Sequence, residues 1–205
     1  MKIFGDPLST KTRKVLTTLA ELEMPHEFVH VDFARGEHKH AAHLERQPFG
    51  QMPALDDDGF VLYETHAMCR YLDARAGGRL LPSDLKSRAL ADQWMSVESA
   101  NFSAHAMKFV YHYLLRVEQP PDVLARAGAG LDQALGILGK ELAAKPYIAG
   151  QGFTLADVCY MPYFEYVLLT PAREHFEKHS STLGWWSRVQ ERPSWRKVVG
   201  RAAAA

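Results

Sequence analysis

Arg46-Gln47-Pro48-Phe49-Gly50-Gln51-Met52-Pro53-Ala54-Leu55, closed a turn later by Tyr63-Glu64-Thr65, is the stretch around which this chain is organised. Pro53 heads the apolar pair Ala54-Leu55. A central strand tolerates proline badly, because proline brings no N–H to the ladder. The residue therefore marks an edge, a bulge or a cis bond, and spacing alone does not choose among them. Glu64 and Thr65 lie between the apolar run Val61-Leu62-Tyr63 and the helical pattern Ala67, Met68, Tyr71, Leu72. That is a helix start, where unpaired N–H groups and the helix dipole attract a carboxylate.

On either side of this stretch the pattern alternates between strands and helices. Ala54-Leu55 and Val61-Leu62 flank Asp56-Asp57-Asp58-Gly59, a hairpin with an Asp-Gly turn. Upstream, Lys2-Ile3-Phe4 reads as a strand and Gly5 to Thr10 as a loop. Val15, Leu16, Leu19, Ala20 and Leu22 follow a helical period, and Glu27 to Phe33 alternates as a half-buried strand. This is a right-handed βαβ unit. A helix from Glu64 to Ala76 should stop at Gly77-Gly78. The order βαβ–ββα is that of a thioredoxin-like domain over 1–77. Gly78 to Ser83 reads as a linker, and beyond it strand signals vanish. Helical patterns cover Ala89 to Leu115, then Val123 to Leu142 with Asp122 as cap. A third follows the capping box Thr154-Leu155-Ala156-Asp157, staple Phe153, and runs to Leu169. Shorter ones cover Leu183 to Gln190 and Ser194 to Val199, and the tail 201–205 should fray. The expected fold class is α/β plus all-α, with 84–205 as one all-helical domain.

Composition narrows the function. The chain has 205 residues, 47% hydrophobic and 23% charged, enough for a sizeable core. Lys plus Arg equals Asp plus Glu at 24 each, so nothing in the global charge favours nucleic acid or an anionic membrane. No stretch approaches the roughly 20 apolar residues of a membrane span. Met1 to Asp6 is too short and polar for a signal peptide. Cys69 and Cys159 read as buried free thiols, so the expected location is the cytoplasm.

Several groups could carry chemistry. Ser9 precedes the first helix and, on the residues alone, is first of all a helix cap. No cysteine stands near it in Leu8-Ser9-Thr10-Lys11, which argues against disulfide exchange. His38, Lys39, His40 and His43 form a basic cluster; no acidic or cysteine partner completes a metal set, so no metal is expected and the cluster reads as a solvated helix. Gly128-Ala129-Gly130 lacks a third glycine and a preceding strand, so it is not a dinucleotide loop. His105, Phe109, His112 and Tyr113 share a helical face, Trp185, Trp186 and Trp195 read as core, and Asp157 as structural.

Phe49-Gly50-Gln51-Met52-Pro53-Ala54-Leu55 with Tyr63-Glu64-Thr65-His66-Ala67 resembles the glutathione-binding signature of the cytosolic glutathione S-transferases, and nearly the whole chain resembles that family. Ser9-Thr10 with Glu37-His38-Lys39 is most similar to the phi class and its bacterial relatives. Thr65 keeps the usual hydroxyl, whereas His66 stands where the family often has Arg. The resemblance implies a cis Met52-Pro53 bond and a catalytic Ser9 that donates to the thiolate, with Thr10 as the alternative donor. It implies that His38 and Lys39 take the glycine carboxylate, with Gln51 nearby, that Met52 and Pro53 hold the cysteinyl backbone, and that Glu64 and Thr65 take the γ-glutamyl end. Pro7, Leu8, Phe33, Phe109 and Tyr113 would line a hydrophobic substrate site. The implied partners are glutathione, as co-substrate and with no further cofactor, and a hydrophobic electrophile; Phe49 would be an apolar key of a homodimer. A non-catalytic carrier of apolar ligands, a structural module and a glutathione-dependent peroxidase are the rival readings.

Overall fold

The Asp-Gly hairpin forms where the sequence places it. In a computed structural model describing residues 1–203, β3 (Ala54–Asp57) and β4 (Phe60–Leu62) pair antiparallel. Asp58 and Gly59 both have positive φ, 53° and 95°, as a type I′ turn needs, and Asp56 Oδ1 accepts the Gly59 N–H at 2.8 Å. The hairpin belongs to the first of two units, which comprises Met1–Leu81 and the chain from Arg192 onward; the second is Pro82–Glu191.

In the first unit β1 (Lys2–Gly5) pairs parallel with β2 (Glu27–His30) and antiparallel with β3, giving the order β2-β1-β3-β4. The strand expected to reach Phe33 stops at His30: Val31 N–H still donates to the Gly5 carbonyl at 2.9 Å, but side chains take over the two amides after it. Glu37 Oε2 accepts the Asp32 N–H at 2.8 Å and Asp6 Oδ2 the Phe33 N–H at 3.4 Å. Helix α1 (Thr10–Glu21) packs against α3 (Thr65–Arg75), and Ile3, Leu55, Val15, Leu16, Leu19, Met68, Cys69 and Leu72 are fully buried in this unit. A short α2 (Ala41–Leu44) follows a 3₁₀ turn at Glu37–Lys39. Helix α3 ends on Gly77 and Gly78, with φ of 88° and 74°, as expected of a glycine stop. The buried Asp73 then accepts the Leu80 and Leu81 N–H groups at 2.7 and 3.1 Å, fixing the exit of the chain.

The second unit is helical. Helix α4 (Leu85–Val97), α5 (Ser103–Phe109) and two π-helical turns, Glu98–Phe102 and Val110–Leu114, make one run where a single helix was expected. Helix α6 (Pro121–Ala144) starts with Pro121 at its first position, so Asp122 sits inside the first turn and is not the cap. Helices α7 (Leu155–Val167), α8 (Arg173–Glu177) and α9 (Ser180–Val189) complete the unit. Phe102 lies at its centre, 5.0 Å from the Tyr160 ring and 5.9 Å from Phe164, which meets Trp185 at 4.8 Å. The capping box at α7 is present, and Asp157 is fully buried. Burial pushes its carboxyl up, against the hydrogen bonds it accepts.

The last helix departs from the expected boundary. Helix α10 (Pro193–Ala203) packs on α1, so the end of the span 84–205 belongs with the first unit, and the buried Trp195 with it. Arg192 donates to Glu21 through Nε and Nη2 at 2.6 and 2.7 Å, and Ser194 Oγ adds a third bond. Burial alone would raise the Glu21 carboxyl, but these bonds and the Arg192 and Arg79 charges hold it below its usual value. The tail expected to fray is helical through Ala203; Ala204 and Ala205 lie outside the described residues.

Candidate active site

Sheet register gathers the candidate residues at one end of the first unit. Strand β1 runs toward Gly5, opposite His30 of parallel β2, and Phe4 faces Ala54, the first residue of antiparallel β3. Leu55 faces Leu62, so β4 runs back toward the same end. The loop carrying Ser9, the segment after β2, the approach to Pro53 and the start of α3 therefore all leave the sheet there. The Met52-Pro53 bond is cis, as expected, and Met52 precedes the ladder.

Ser9 is the cap of α1: its Oγ accepts the Thr12 N–H at 3.3 Å. A hydroxyl has two lone pairs and one proton, so accepting this bond leaves its own O–H to donate elsewhere. Ser9 is half-buried, whereas Thr10 is only 8% exposed, which favours Ser9 as the group a ligand can reach. The loop is held from below, since Asp6 accepts the Leu8 N–H at 2.7 Å and Arg13 Nε donates to the Pro7 carbonyl at 3.0 Å. Helix α1 has no acidic residue in its first turn, so no carboxylate of its own opposes the positive end of its dipole.

Glu64, at the head of α3, has φ 69° and ψ 110°, a conformation that costs an L-residue on the order of 1–3 kcal/mol. Its side chain makes no cap bond, so the first turn of α3 has no side-chain cap. Thr65, the first helical residue, is buried, and Glu64 itself is exposed.

His38 and Lys39 occupy the 3₁₀ turn. The His38 ring stacks on Phe33 at 4.5 Å, and burial, reinforced by the charges of Lys39, His43 and His40, holds its pKa below the ordinary value. Lys39 Nζ donates to the Phe49 carbonyl at 3.1 Å. Gly50 can be nothing larger here: φ is 58°, and a Cβ would lie 2.8 Å from Lys39 Cδ and Nζ and 3.0 Å from the His38 carbonyl. Gln51 is exposed, and the half-exposed Tyr63 ring lies edge-on to Phe49 at 6.2 Å.

Of the residues expected to line an apolar site, Leu8 and Phe33 are 59% and 57% exposed on the first unit, whereas Pro7 is buried. On the second unit Phe109 is buried against His175, with ring centroids 5.9 Å apart, and Tyr113 is half-buried beside His112. Phe109 thus offers little surface of its own. The basic cluster is not uniformly solvated either, because His43 is 4% exposed. No spacing signal would have revealed the positions of His43, Gln47 or Asp6.

Comparison with known proteins follows the same outline. Family models described as glutathione S-transferase N-terminal and C-terminal domains match residues 1–74 and 121–201. The chain is 32% identical to glutathione S-transferase F11 of Arabidopsis thaliana, over 99% of both chains. It is 31% identical to glutathione S-transferase APIC of Nicotiana tabacum, over 96% of both. Glutathione transferase F2 of Populus trichocarpa superposes with a TM-score of 0.92 at 31% identity, covering 100% of this chain and 99% of that one. Glutathione S-transferase I from maize, solved with an atrazine glutathione conjugate, gives 0.88 at 30% identity, covering 97% and 96%.

Proposed function

We propose, because this chain belongs to the glutathione S-transferase family, that it joins the thiolate of glutathione to hydrophobic electrophiles. The observation that carries this reading is Ser9, a reachable hydroxyl whose lone pair is used by the α1 cap and whose proton meets no acceptor among the described residues. A hydrogen bond to a charged acceptor is worth roughly 1.5–3 kcal/mol. At about 1.4 kcal/mol per unit it lowers a thiol pKa by roughly one to two units from about 8.5. The thiol proton leaves to solvent, the sulfur attacks the electrophilic carbon, and the leaving group departs with its bonding pair as the thioether forms. That substitution transfers no electrons to or from a third party, so no cofactor beyond the co-substrate is needed.

The family resemblance supplies the remaining roles, and charge and shape suit them. Lys39 and His38 receive the glycine carboxylate, with Gln51 beside them. Met52, next to Pro53 and outside the ladder, pairs its main chain with the cysteinyl backbone. The first-turn N–H groups of α3 and Thr65 receive the γ-glutamyl carboxylate, and Glu64 its ammonium. Leu8 and Phe33 give the electrophile apolar surface. Phe49, 65% exposed beside the binding loop, is the apolar key of a two-fold dimer; sedimentation of a monomer at micromolar concentration would remove that role. Cys69 and Cys159 are both buried and in no disulfide, and among the described residues no helix is long and apolar enough to cross a membrane. Both features suit a reducing cytoplasm, and cell fractionation tests it.

Glutathione affinity measured with turnover of a panel of electrophiles, an aromatic halide among them, decides the main reading. Micromolar-to-millimolar binding with conjugation is expected. Binding without turnover of any electrophile would make the protein a carrier, and failure to bind glutathione would end the proposal.

A further inference from the structure

The main chain of the binding loop is gripped from behind at successive points. Lys39 takes the Phe49 carbonyl, and the Gln47 carbonyl accepts the Gly50 N–H at 2.9 Å. Gln47 Oε1 accepts the Gln51 N–H at 3.2 Å, and His43 Nε2 meets the Gln51 carbonyl at 2.6 Å. A carbonyl only accepts, so His43 presents its Nε2–H to it. The Gln51-Met52 peptide is trans and planar, so its carbonyl and its N–H point in opposite directions. Turning the Gln51 oxygen toward His43 therefore turns the Met52 N–H away from His43. Met52 is the residue to which the proposed function gives the cysteinyl backbone.

We infer that His43 and Gln47 are a positioning pair: His43 in α2 and Gln47 three residues past its end hold the two peptides that flank the Gln51 Cα, the earlier one by its N–H and the later one by its carbonyl, and so set the direction of the Met52 N–H toward glutathione. Their exposures of 4% and 2% make them too buried to be the ligand's own partners. Packing does not explain the histidine. Among the described residues its Nδ1 is buried without a hydrogen-bond partner, a cost that a phenylalanine filling the same space would avoid. What the imidazole adds at this position is the Nε2 donor. The spacing to Gln47 adds the second grip, because the Gln47 N–H bonds the His43 carbonyl at 2.9 Å and the two side chains rise from one turn.

This inference rests on the proposed function, and its test separates the two. Calorimetry gives the glutathione Kd of wild type, His43→Phe, His43→Gln and Gln47→Met, each checked for an unchanged fold by thermal melting. Thiolate absorbance gives the pKa of the bound thiol. His43→Phe keeps the ring and loses the donor, so glutathione should bind about three- to tenfold more weakly, one hydrogen bond's worth. Its KM for glutathione should rise by the same factor. The bound thiol pKa and the KM for an aromatic halide should stay put, because Ser9 is untouched. His43→Gln, whose amide nitrogen reaches as far as Nε2, should recover most of the loss. Gln47→Met removes the second grip and should weaken binding similarly, so the inference remains testable if His43→Phe does not fold. Wild-type affinity in both His43→Phe and Gln47→Met, or a shift of the thiol pKa as large as the shift of Kd, would overturn the pair. If wild type itself fails to bind glutathione, the function falls and takes the pair with it.

Discussion

In Ser9→Ala the thiol of bound glutathione should titrate about one to two units higher than in wild type, matching one lost charge-assisted hydrogen bond. The sign follows from the donor's preference for the thiolate: removing it favours the protonated thiol, so ionisation needs a higher pH. Below the wild-type pKa the conjugation rate should therefore fall about ten- to a hundredfold, and above the variant's pKa it should recover. Glutathione affinity should change little. Ser9 also caps α1, accepting the Thr12 N–H at 3.3 Å, so Ala also costs about 1 kcal/mol of stability. Ser9→Asp separates the two roles. Aspartate caps as well as serine, but an ionised carboxylate has no proton to donate and repels a thiolate. It should restore the melting temperature and leave the thiol pKa raised. Thr10→Ala and the double variant complete the series, and a larger effect in Thr10→Ala than in Ser9→Ala would transfer the donor to Thr10. A thiol pKa unmoved in both would leave Ser9 a cap only.

Asp157→Ala should be the most destabilising single change in the second unit, by about 3–5 kcal/mol, with a fall in melting temperature on the order of 10 °C. Asp157 Oδ1 accepts the Ile148 N–H at 3.0 Å and Trp185 Nε1–H at 2.8 Å, while Oδ2 accepts the Thr154 N–H at 2.8 Å and its hydroxyl at 3.1 Å. The carboxylate thus ties the loop before α7, the α7 cap and a core tryptophan of α9 to one buried point. Truncation leaves the Ile148 and Trp185 donors buried without partners, the costly form of hydrogen-bond loss. Asp157→Asn should be nearly as damaging, because every neighbour is a donor and the amide replaces one acceptor oxygen with another donor. Residual activity per folded molecule should stay near wild type, since these contacts all lie in the second unit. A melting temperature within about 2 °C of wild type would show that the bonds are replaced by water and contribute little.

What the sequence by itself determined is the part that depends on neighbours a few residues away. The Asp58-Gly59 turn, the glycine stop after α3, the Thr154–Asp157 box and the Ser9 cap are each satisfied within a span of two to five residues. In such spans residue type dictates backbone geometry directly, through positive φ, a missing N–H or a side-chain oxygen that reaches a nearby amide. The approach to Pro53 and the start of α3 were legible for the same reason, and family resemblance supplied the roles that geometry alone left open. Periodicity found the longer helices but not their company, and it missed the five-residue α8. Helix α10 reads as one more short helix of the second half, yet Arg192 bonds Glu21, 171 positions earlier, and thereby places Trp195 in the first unit. The long pattern after Ala89 hides its two π turns, because a five-residue widening scarcely disturbs a hydrophobic stripe. His43 looked like one more cation of a solvated cluster until the fold turned it inward. Which side of a four-residue helix is buried depends on what packs over it, and a single turn has too little period to say. Tertiary structure alone decided that its Nε2 meets the Gln51 carbonyl, and hence which way the next amide points.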